Sequence, residues 1–378
     1  MARPVVLACM GAAWPGSDAS GPVLSLAAIT SALGGEFDFL RLARDRPFGA
    51  REASTPAGVW RDGARFCAGP FGAKGSIRAL GEIPCDLLLL NGVFDRDFTI
   101  PALLMRRYAG RARTPALLSP RGEFSVGALT LKGGRKAAFL AAGRRAGLFD
   151  TIQWHATSDA EWADIRRVFP DARGHVAPNI RPLLEPLAAV PSADCVLRIA
   201  FLGRLSPVKN LDFALRALAR VTAPVAFDIH GPEEDAAHVE ACRRLAAALP
   251  AHVRARFCGA LPNAQARDMF AACDLMFLPS RSENFGHAIF EALSCGVPVL
   301  IGDATPWRDL AAADAGWDLP LGSEAPFAAV IDALAAMDGP SRARLRAGAR
   351  QVAERWRQNS DAEARTRAMF HALLKGGA

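Results

Sequence analysis

The sequence predicts an α/β protein with two domains, each built around a doubly wound parallel β-sheet. Short apolar runs of strand length, such as residues 87–90 and 199–202, alternate with segments of helical period along the whole chain. Alternation of this kind is typical of parallel sheets that are covered by helices. A chain of 378 residues is also long for a single hydrophobic core, so two domains are expected.

A proline-rich stretch predicts the boundary between these domains. Between residues 176 and 194, any long element is interrupted by Pro178, Pro182, Pro186 and Pro191. We therefore expect an N-terminal domain over residues 1–182, a linker over 183–195 and a C-terminal domain over 196–355. Residues 356–378 are expected to form a final helical segment.

Composition excludes several classes of protein. Apolar residues make up 51% and charged residues 22% of the chain, as in ordinary globular proteins. No apolar run reaches the roughly 18 residues that cross a bilayer, and the N-terminus resembles a first strand more than a signal peptide. The eight cysteines form no C-x-x-C pair, so we expect no metal site and a reducing, cytoplasmic compartment. A net charge of +7 favours anionic partners, but no pattern typical of nucleic-acid binding is present.

The N-terminal half offers a loop between its first strand and first helix. Residues 5–9 are expected to form the strand and residues 23–33 the helix, with a loop rich in Gly, Ala and Pro between them. Such loops bind ligands in doubly wound sheets. The glycines are not at G-x-G-x-x-G spacing, so a dinucleotide fingerprint is not supported.

Arg121 and Gly122 follow another short buried strand, predicted over residues 115–119. Arginine remains protonated and cannot act as a base, but it binds phosphates and carboxylates through several parallel hydrogen bonds. An acceptor phosphate, a donor diphosphate or a carboxylate are the candidate ligands. An ordinary surface arginine in a turn is the alternative interpretation.

The segment 129–147 is basic and partly helical. Its cations, among them Lys132 and Arg135, flank an alanine-rich stretch. One interpretation is a face for an anionic membrane surface or a lipid-diphosphate acceptor. A solvated helix with a basic face explains the same pattern.

In the C-terminal half, the strand predicted over residues 196–202 is followed by the loop GRLSPVKN and an amphipathic helix over 211–221. Arg204 and Lys209 therefore extend from a loop between a strand and a helix, and Asn210 is expected to cap that helix. Two cations in such a loop are suited to holding a diphosphate leaving group.

The segment 279–303, PSRSENFGHAIFEALSCGVPVLIGD, carries Glu283 in a loop and Glu291 eight residues later, in a helix predicted over 286–294. The free N–H groups at the start of such a helix form an anion site, and the two glutamates are suited to accepting hydrogen bonds from hydroxyls. A capped amphipathic helix with a solvated glutamate is the alternative interpretation.

These two segments resemble the G-R-L-x-x-x-K-N and E-x7-E motifs of the retaining glycosyltransferases of family 4, which have the GT-B fold. The resemblance covers nearly all of the C-terminal half and scattered points of the N-terminal half. It implies two Rossmann-like domains that face a central cleft, the first on the acceptor side, with the final helix crossing back to it. It departs from the family at Arg121-Gly122, where many members have a His-Gly pair.

The resemblance also implies roles for individual residues. Arg204 and Lys209 would bind the diphosphate, with Glu283 and Arg121 as the other catalytic candidates. The remaining donor-binding candidates are Glu291, Asn284, Phe285, Gly286, His287, Gly203, Gly259 and Leu261. The candidates for an acceptor or phosphate loop are Ser20, Gly21, Lys132 and Arg135.

The function implied is retaining transfer of a sugar, such as a hexose, from a nucleotide diphosphate sugar to a glycan or lipid-linked acceptor. The pathway would be bacterial surface polysaccharide or glycolipid synthesis. No metal and no cofactor other than the co-substrate are expected. The location would be cytoplasmic, with peripheral attachment to the inner face of the membrane as a further option. The alternatives are a nucleotide-sugar epimerase of the same fold and a non-catalytic nucleotide-sugar-binding protein.

Overall fold

The computed structural model describes residues 2–14, 21–47, 50–68, 73–109, 114–125, 128–129, 133–188 and 196–375. The chain forms two compact units. Unit 1 comprises Met1–Arg181 together with Ser360–Ala378, and unit 2 comprises Pro182–Asn359. The finer limits that we expect from the sequence, including the linker over 183–195, stay predictions.

Unit 1 is built on one mixed sheet that is mostly parallel. Its described strands run in the spatial order β3-β4-β2-β1-β5-β6-β7-β8, and only the β3–β4 pair is antiparallel. The strands are β1 (Val5–Met10), β2 (Asp38–Arg44), β3 (Trp60–Arg61), β4 (Ala64–Cys67), β5 (Leu87–Asn91), β6 (Ala116–Ser119), β7 (Gln153–Ala156) and β8 (Gly174–Val176).

Helices cover both faces of this sheet. Leu88 and Leu90 of β5 pack into the core on one face, while Leu87 and Leu89 pack into the core on the other. A strand segment buried on both faces is apolar throughout, which is why residues 87–90 of β5 show no alternation. The helices before the unit boundary are α1 (Gly21–Leu33), α2 (Ala73–Glu82), α3 (Thr99–Tyr108), α4 (Gly133–Arg145) and α5 (Asp159–Val168).

A short hairpin extends the unit 1 sheet where the sequence predicts only an irregular strand or loop piece. Arg61 of β3 pairs directly with Ala64 of β4. The two turn residues, Asp62 and Gly63, both have positive φ, at 48° and 69°. An Asp-Gly pair in this conformation forms the tight turn that matches the twist of antiparallel strands.

Unit 2 is a parallel sheet with helices between its strands. The strands are β9 (Leu197–Leu202), β10 (Val225–His230), β11 (Val253–Gly259), β12 (Leu275–Leu278), β13 (Val299–Gly302) and β14 (Gly316–Leu319). The helices are α6 (Leu211–Leu218), α7 (Ala236–Ala247), α8 (Ala266–Ala271), α9 (His287–Ser294), α10 (Ala325–Ala335) and α11 (Gly339–Asn359). The final helix, α12 (Ala362–Lys375), belongs to unit 1.

The strand order in unit 2 determines where a ligand is expected to bind. The order is β11-β10-β9-β12-β13-β14, which is the 3-2-1-4-5-6 order of a Rossmann fold. The chain adds β10 and β11 on one side of β9, and β12 and the later strands on the other side. The strand order therefore reverses between β9 and β12, which are parallel neighbours although they lie far apart in sequence. The crevice at the carboxyl ends of two such strands is the ligand site of doubly wound sheets.

The helix α12 packs into the second of the two cores of unit 1. Met369, Phe370 and Leu373 are buried in the same core as Phe37. The rings of Phe37 and Phe370 meet edge to face, with 5.5 Å between their centroids. The last helix of the chain is therefore a structural part of the unit that contains the first strand.

Candidate functional site

Two loops of unit 2 approach each other closely at the carboxyl ends of β9 and β10. The backbone N–H of Gly203 donates to the carbonyl oxygen of His230 at 3.0 Å. Gly231 has a φ of +151°, and a Cβ atom at this position would lie 1.8 Å from the carbonyl oxygen of Gly203. Only glycine therefore allows the loop that carries Arg204 to take this path.

Arg204 forms an exposed ion pair with the neighbouring loop. Its Nη1 donates to both carboxylate oxygens of Glu234, at 2.6 and 2.7 Å. The side chains are 56% and 46% exposed, so this pair contributes little to stability. The guanidinium group therefore lies at the surface of unit 2, and exchanging Glu234 for another anion costs little.

Asn210 connects the loop after β9 to the loop after β12. Asn210 is the N-cap residue of α6, as the sequence predicts, but its φ is +59° and its side chain makes no capping hydrogen bond. The amide instead donates from Nδ2 to the carbonyl oxygen of Pro279 at 3.1 Å, and its Oδ1 accepts from Nε of Arg281 at 3.1 Å. The backbone N–H of Arg281 also donates to the carbonyl oxygen of Val208.

This connection brings Lys209 and Glu283 together at the reversal point between β9 and β12. Lys209 Nζ lies 2.5 Å from Oε1 of Glu283, and the hydroxyl of Ser280 donates to the same oxygen at 2.7 Å. The two side chains are 17% and 9% exposed, so the pair is largely shielded from solvent. Charge interactions in such a site are stronger than at the surface.

The helix α9 begins directly after this loop, one residue later than the sequence predicts. Gly286 is its N-cap residue in a left-handed conformation, and a Cβ there would lie 2.8 Å from Cδ1 of Ile289. The carbonyl oxygen of Phe285 accepts from Nε1 of Trp307 at 2.6 Å. The Phe285 ring is buried against Trp356, with 4.9 Å between centroids. Phe285 thus fixes the start of the helix through ring packing and a backbone hydrogen bond.

The second glutamate of the motif lies inside α9. Glu291 is only 4% exposed, whereas Asn284 and His287 at the start of the helix are half-buried. Burial, together with the charge of Glu291, raises the pKa of the nearby Cys295 thiol to about 11. The motif therefore places one carboxylate at the mouth of the helix and the other within its packed face.

Gly259 and Leu261 occupy the end of β11. Gly259 has a φ of +75° and accepts a hydrogen bond from the backbone N–H of Gly231 at 2.8 Å. Leu261 is half-buried against the core of unit 2. Their role in binding the donor stays a prediction.

In unit 1, Arg121 is held by two asparagines. Its φ is +55°, its Nε donates to Oδ1 of Asn91 at 3.1 Å, and its Nη1 donates to Oδ1 of Asn179 at 2.9 Å. The following N–H, of Gly122, donates to Glu161 at 2.7 Å. Burial lowers the pKa of the Arg121 guanidinium, and the charge of Glu161 opposes this shift. The side chain is therefore positioned by specific partners, unlike a solvated surface arginine.

His155, which follows in the same region, is a satisfied structural histidine. Its Nε2 donates to the carbonyl oxygen of Ala177 at 2.8 Å, so Nδ1 accepts from the hydroxyl of Ser119 at 2.8 Å. Burial and the charge of Arg121 lower the pKa of the imidazole to about 3. The ring stays neutral at physiological pH.

Three carboxylates in unit 1 were not singled out from the sequence as site residues. Glu123 accepts from the N–H of Val93 at 2.5 Å, and burial raises its pKa to about 7. Asp97 pairs with Nη2 of Arg44 at 2.5 Å, and burial raises its pKa to about 6. Burial also raises the pKa of Asp95. No local motif marks these residues: Asp95 and Asp97 lie in the loop after β5, and Glu123 lies in the loop after β6.

Two of the remaining predicted candidates, Ser20 and Lys132, lie outside the described residues. Gly21 is the first residue of α1, and Arg135 is exposed on α4. Two other cations of α4 contact the protein itself. Lys136 donates to the carbonyl oxygen of Ala128 at 2.6 Å, and Arg144 lies over the ring of Phe169. Across the described residues, we find no helix with the length and hydropathy that a membrane span requires.

Unit 2 thus has a Rossmann-type sheet with cations and carboxylates at the point where its strand order reverses. Sheets of this class typically bind phosphorylated ligands at that point. The comparison with known families is more specific. Residues 193–352 match the family described as glycosyl transferases group 1. The matched residues lie within unit 2.

The curated relatives agree with this family. A D-inositol 3-phosphate glycosyltransferase of Stackebrandtia nassauensis is 31% identical over 233 residues, which cover 56% of this chain and 52% of the relative. A protein of the same name from Mycobacterium bovis is 35% identical over 103 residues, or 27% of this chain and 22% of the relative. This chain thus spans about half the length of the first relative and less of the second.

Solved structures show the fold over the whole chain. A sucrose-phosphate synthase from Thermosynechococcus elongatus superposes with a TM-score of 0.72 at 15% identity, covering 100% of both chains. HepE of Anabaena, solved in complex with UDP-glucose, gives a TM-score of 0.68 at 18% identity, covering 99% of this chain and 100% of that chain. These matches confirm the GT-B fold class, with two Rossmann-like domains.

Proposed function

We propose that this protein is a glycosyltransferase that transfers a sugar from a nucleotide diphosphate sugar to an acceptor. The observation that carries the proposal is the contact between Lys209 and Glu283, at the point where the strand order of the unit 2 sheet reverses. Arg204 lies on the same loop as Lys209. The group 1 family match and the UDP-glucose complex of HepE support the choice of donor class.

The mechanism follows from the charges in this site. As the bond between sugar and diphosphate breaks, negative charge develops on the leaving oxygen. Lys209, Arg204 and the N-terminus of α9 supply positive charge that stabilises it. Glu283 keeps Lys209 oriented before the donor binds and accepts hydrogen bonds from the sugar hydroxyls, while Glu291 accepts from the ribose. We propose that these groups replace a divalent cation and that the reaction is metal-independent.

We also propose that the transfer retains the anomeric configuration, with the departing diphosphate taking the acceptor proton. The motif resemblance supports this route, and the histidine in this part of the chain, His155, has both ring nitrogens bonded within the protein. Arg121 is assigned to an anionic group of the acceptor, because its guanidinium is held in place by Asn91 and Asn179.

The proposed acceptor is a glycan or a lipid-linked precursor in bacterial surface polysaccharide or glycolipid synthesis. A neighbour in fold, WaaG, is described as involved in lipopolysaccharide biosynthesis, with a TM-score of 0.61 at 13% identity. We place the protein in the cytoplasm, since the described cysteines are free thiols, as is usual in reducing compartments. Peripheral contact with an anionic membrane through exposed cations of α4 is part of the proposal.

The test is direct. UDP, GDP, ADP and their sugars are screened by thermal shift, because a ligand that binds the native state raises its stability. Sugar transfer is then measured with the best donor in the presence of a chelator, and the anomeric configuration of the product is read by NMR. Release of a free altered nucleotide sugar without acceptor would instead indicate an epimerase. Binding without turnover would indicate a non-catalytic binding protein.

A further inference from the structure

A separate group of polar side chains lies at the edge of the unit 2 sheet. Asp228 and His230 belong to β10, and Cys258 belongs to the edge strand β11. One donor atom from each residue lies within 4.8 Å of the other two. Among the residues that the structure describes, no other group of His, Cys, Asp and Glu side chains has this arrangement.

The sheet geometry explains how these residues meet. Asp228 and His230 are two positions apart on one strand, so both side chains point to the same face. The two strands pair in register from Val225↔Val253 to Ile229↔Phe257, after which His230 pairs with Gly259. Cys258 is therefore an extra residue in β11. A bulge of this kind redirects the side chain of the residue that it inserts.

The imidazole of His230 and the thiol of Cys258 are available for a further ligand. Nδ1 of His230 is buried and has no hydrogen-bond partner. Cys258 is exposed, and its thiol makes a long contact, 3.7 Å, to the carbonyl oxygen of Arg256.

We propose that Asp228, His230 and Cys258 form a binding site for Zn²⁺ or a similar thiophilic divalent cation. A carboxylate, an imidazole and a thiolate are typical zinc ligands, with bonds of about 2.0–2.3 Å. Ligands on a tetrahedral zinc ion lie about 3.5 Å apart, so modest side-chain rotation closes the present spacing. Water completes the fourth position, and the thiol proton passes to solvent on binding.

Arg256 controls access to this site. Its Nε and Nη2 donate to the two carboxylate oxygens of Asp228 at 2.8 and 2.6 Å. The Arg256 side chain is 71% exposed, so the pair is weak and the guanidinium can leave into solvent. The metal ion then takes the place of Arg256 as the positively charged partner of Asp228. This site lies outside the proposed transfer chemistry and does not depend on it.

Cobalt titration of the full chain tests the proposal, because a thiolate bound to Co²⁺ gives a charge-transfer absorption band. We expect this band in the unmodified protein and its displacement by Zn²⁺. Cys258→Ser removes the band, and His230→Gln and Asp228→Asn weaken binding on the order of tenfold or more. Arg256→Gln retains or strengthens binding, since it removes the competing cation.

Cys242→Ser is the matched control, because the Cys242 thiol also lies near a histidine, 3.6 Å from Nε2 of His238. We expect this variant to keep the band. Zn²⁺ should raise the melting temperature of the unmodified protein and not that of Cys258→Ser. The proposal is overturned if the unmodified protein shows no band, if Cys258→Ser keeps it, or if Arg256→Gln weakens binding as much as Asp228→Asn.

Discussion

Nζ of Lys209 lies 2.5 Å from Oε1 of Glu283, although the two residues are 74 positions apart in the chain. The contact exists because β9 and β12 are neighbours in the sheet and their following loops are joined through Asn210. A cation and an anion at the carboxyl ends of these two strands are the centre of the proposed donor site.

The first prediction concerns the cations that hold the leaving group. We expect Lys209→Ala and Arg204→Ala each to reduce transfer about 100- to 1000-fold, because each removes a charge-assisted bond worth about 2–4 kcal/mol in the transition state. Steady-state transfer rates with the natural donor measure this effect. Glu234→Gln is the matched control, since it removes the partner of Arg204 and leaves the cation in place. Loss of activity in the control equal to that of Arg204→Ala would contradict the assignment.

The second prediction separates the two glutamates. Glu291→Gln should weaken binding of the bare nucleotide diphosphate about tenfold to a hundredfold, because a hydrogen bond to a charged group contributes about 1.5–3 kcal/mol. Glu283→Gln should leave that affinity unchanged or raise it, since it frees Lys209 for the phosphate, while turnover falls. Glutamine keeps the volume of the buried Glu291 side chain, so the fold is preserved. Calorimetry with bare nucleotide and intact donor reads both effects, and a reversed pattern would exchange the two roles.

The third prediction uses two glycines to test the loop geometry. Gly231→Ala should destabilise the protein by about 3 kcal/mol or more, since it combines backbone strain with a Cβ that overlaps the carbonyl oxygen of Gly203. Gly259→Ala also carries a positive φ, but its Cβ would meet nothing within 4 Å. We expect it to cost only about 1 kcal/mol. Urea unfolding of both variants measures the difference, and equal costs would show that the close approach is not tight.

The fourth prediction concerns pH. Burial raises the pKa of Glu123 from 4.5 to about 7, so the folded state holds this proton more tightly than the unfolded chain does. Raising the pH from 4.5 to 7 removes the proton and should progressively destabilise the folded protein. Glu123→Gln lacks this proton, so its advantage in melting temperature over the unmodified protein should grow across the same window. Parallel melting curves at several pH values would refute the assignment.

The fifth prediction addresses the membrane surface. Arg135 and Arg145 of α4 are exposed, and each cation near an anionic bilayer contributes about 1 kcal/mol. Replacing both with Gln should therefore weaken salt-sensitive binding to phosphatidylserine vesicles about tenfold or more. Arg144→Gln is the control, because Arg144 lies over the Phe169 ring. Absence of vesicle sedimentation at low salt would leave α4 as a solvated helix.

Elements with a strong local signal could be predicted from the sequence. Residues 87–90 of β5 and 199–202 of β9 are continuous apolar runs, and α6 and α9 show a clear helical period. The pattern of apolar residues is therefore enough to locate these elements. Other elements were missed, among them the helix α2 and the short strands β8 and β14. The short strand β14, for example, is recognisable only through its pairing with β13.

The candidate site divides in the same way. The motifs GRLSPVKN and SENFGHAIFE placed Arg204, Lys209, Glu283 and Glu291 in their elements, because the spacing of residues along a loop and a helix is a local property. Their partners could not be predicted: Glu234 pairs with Arg204, and the side chain of Asn210 bridges two loops instead of hydrogen-bonding to the helix that it precedes.

The sequence by itself thus determined the class of the fold, most elements of the second domain and the residue types that carry the proposed chemistry, since these depend on composition and period. Only the tertiary structure decided which side chains meet. Strand order brings Lys209 to Glu283, and a bulge in β11 brings Cys258 to His230. Both contacts depend on pairing between distant strands, which packing of the whole sheet selects and no local pattern encodes.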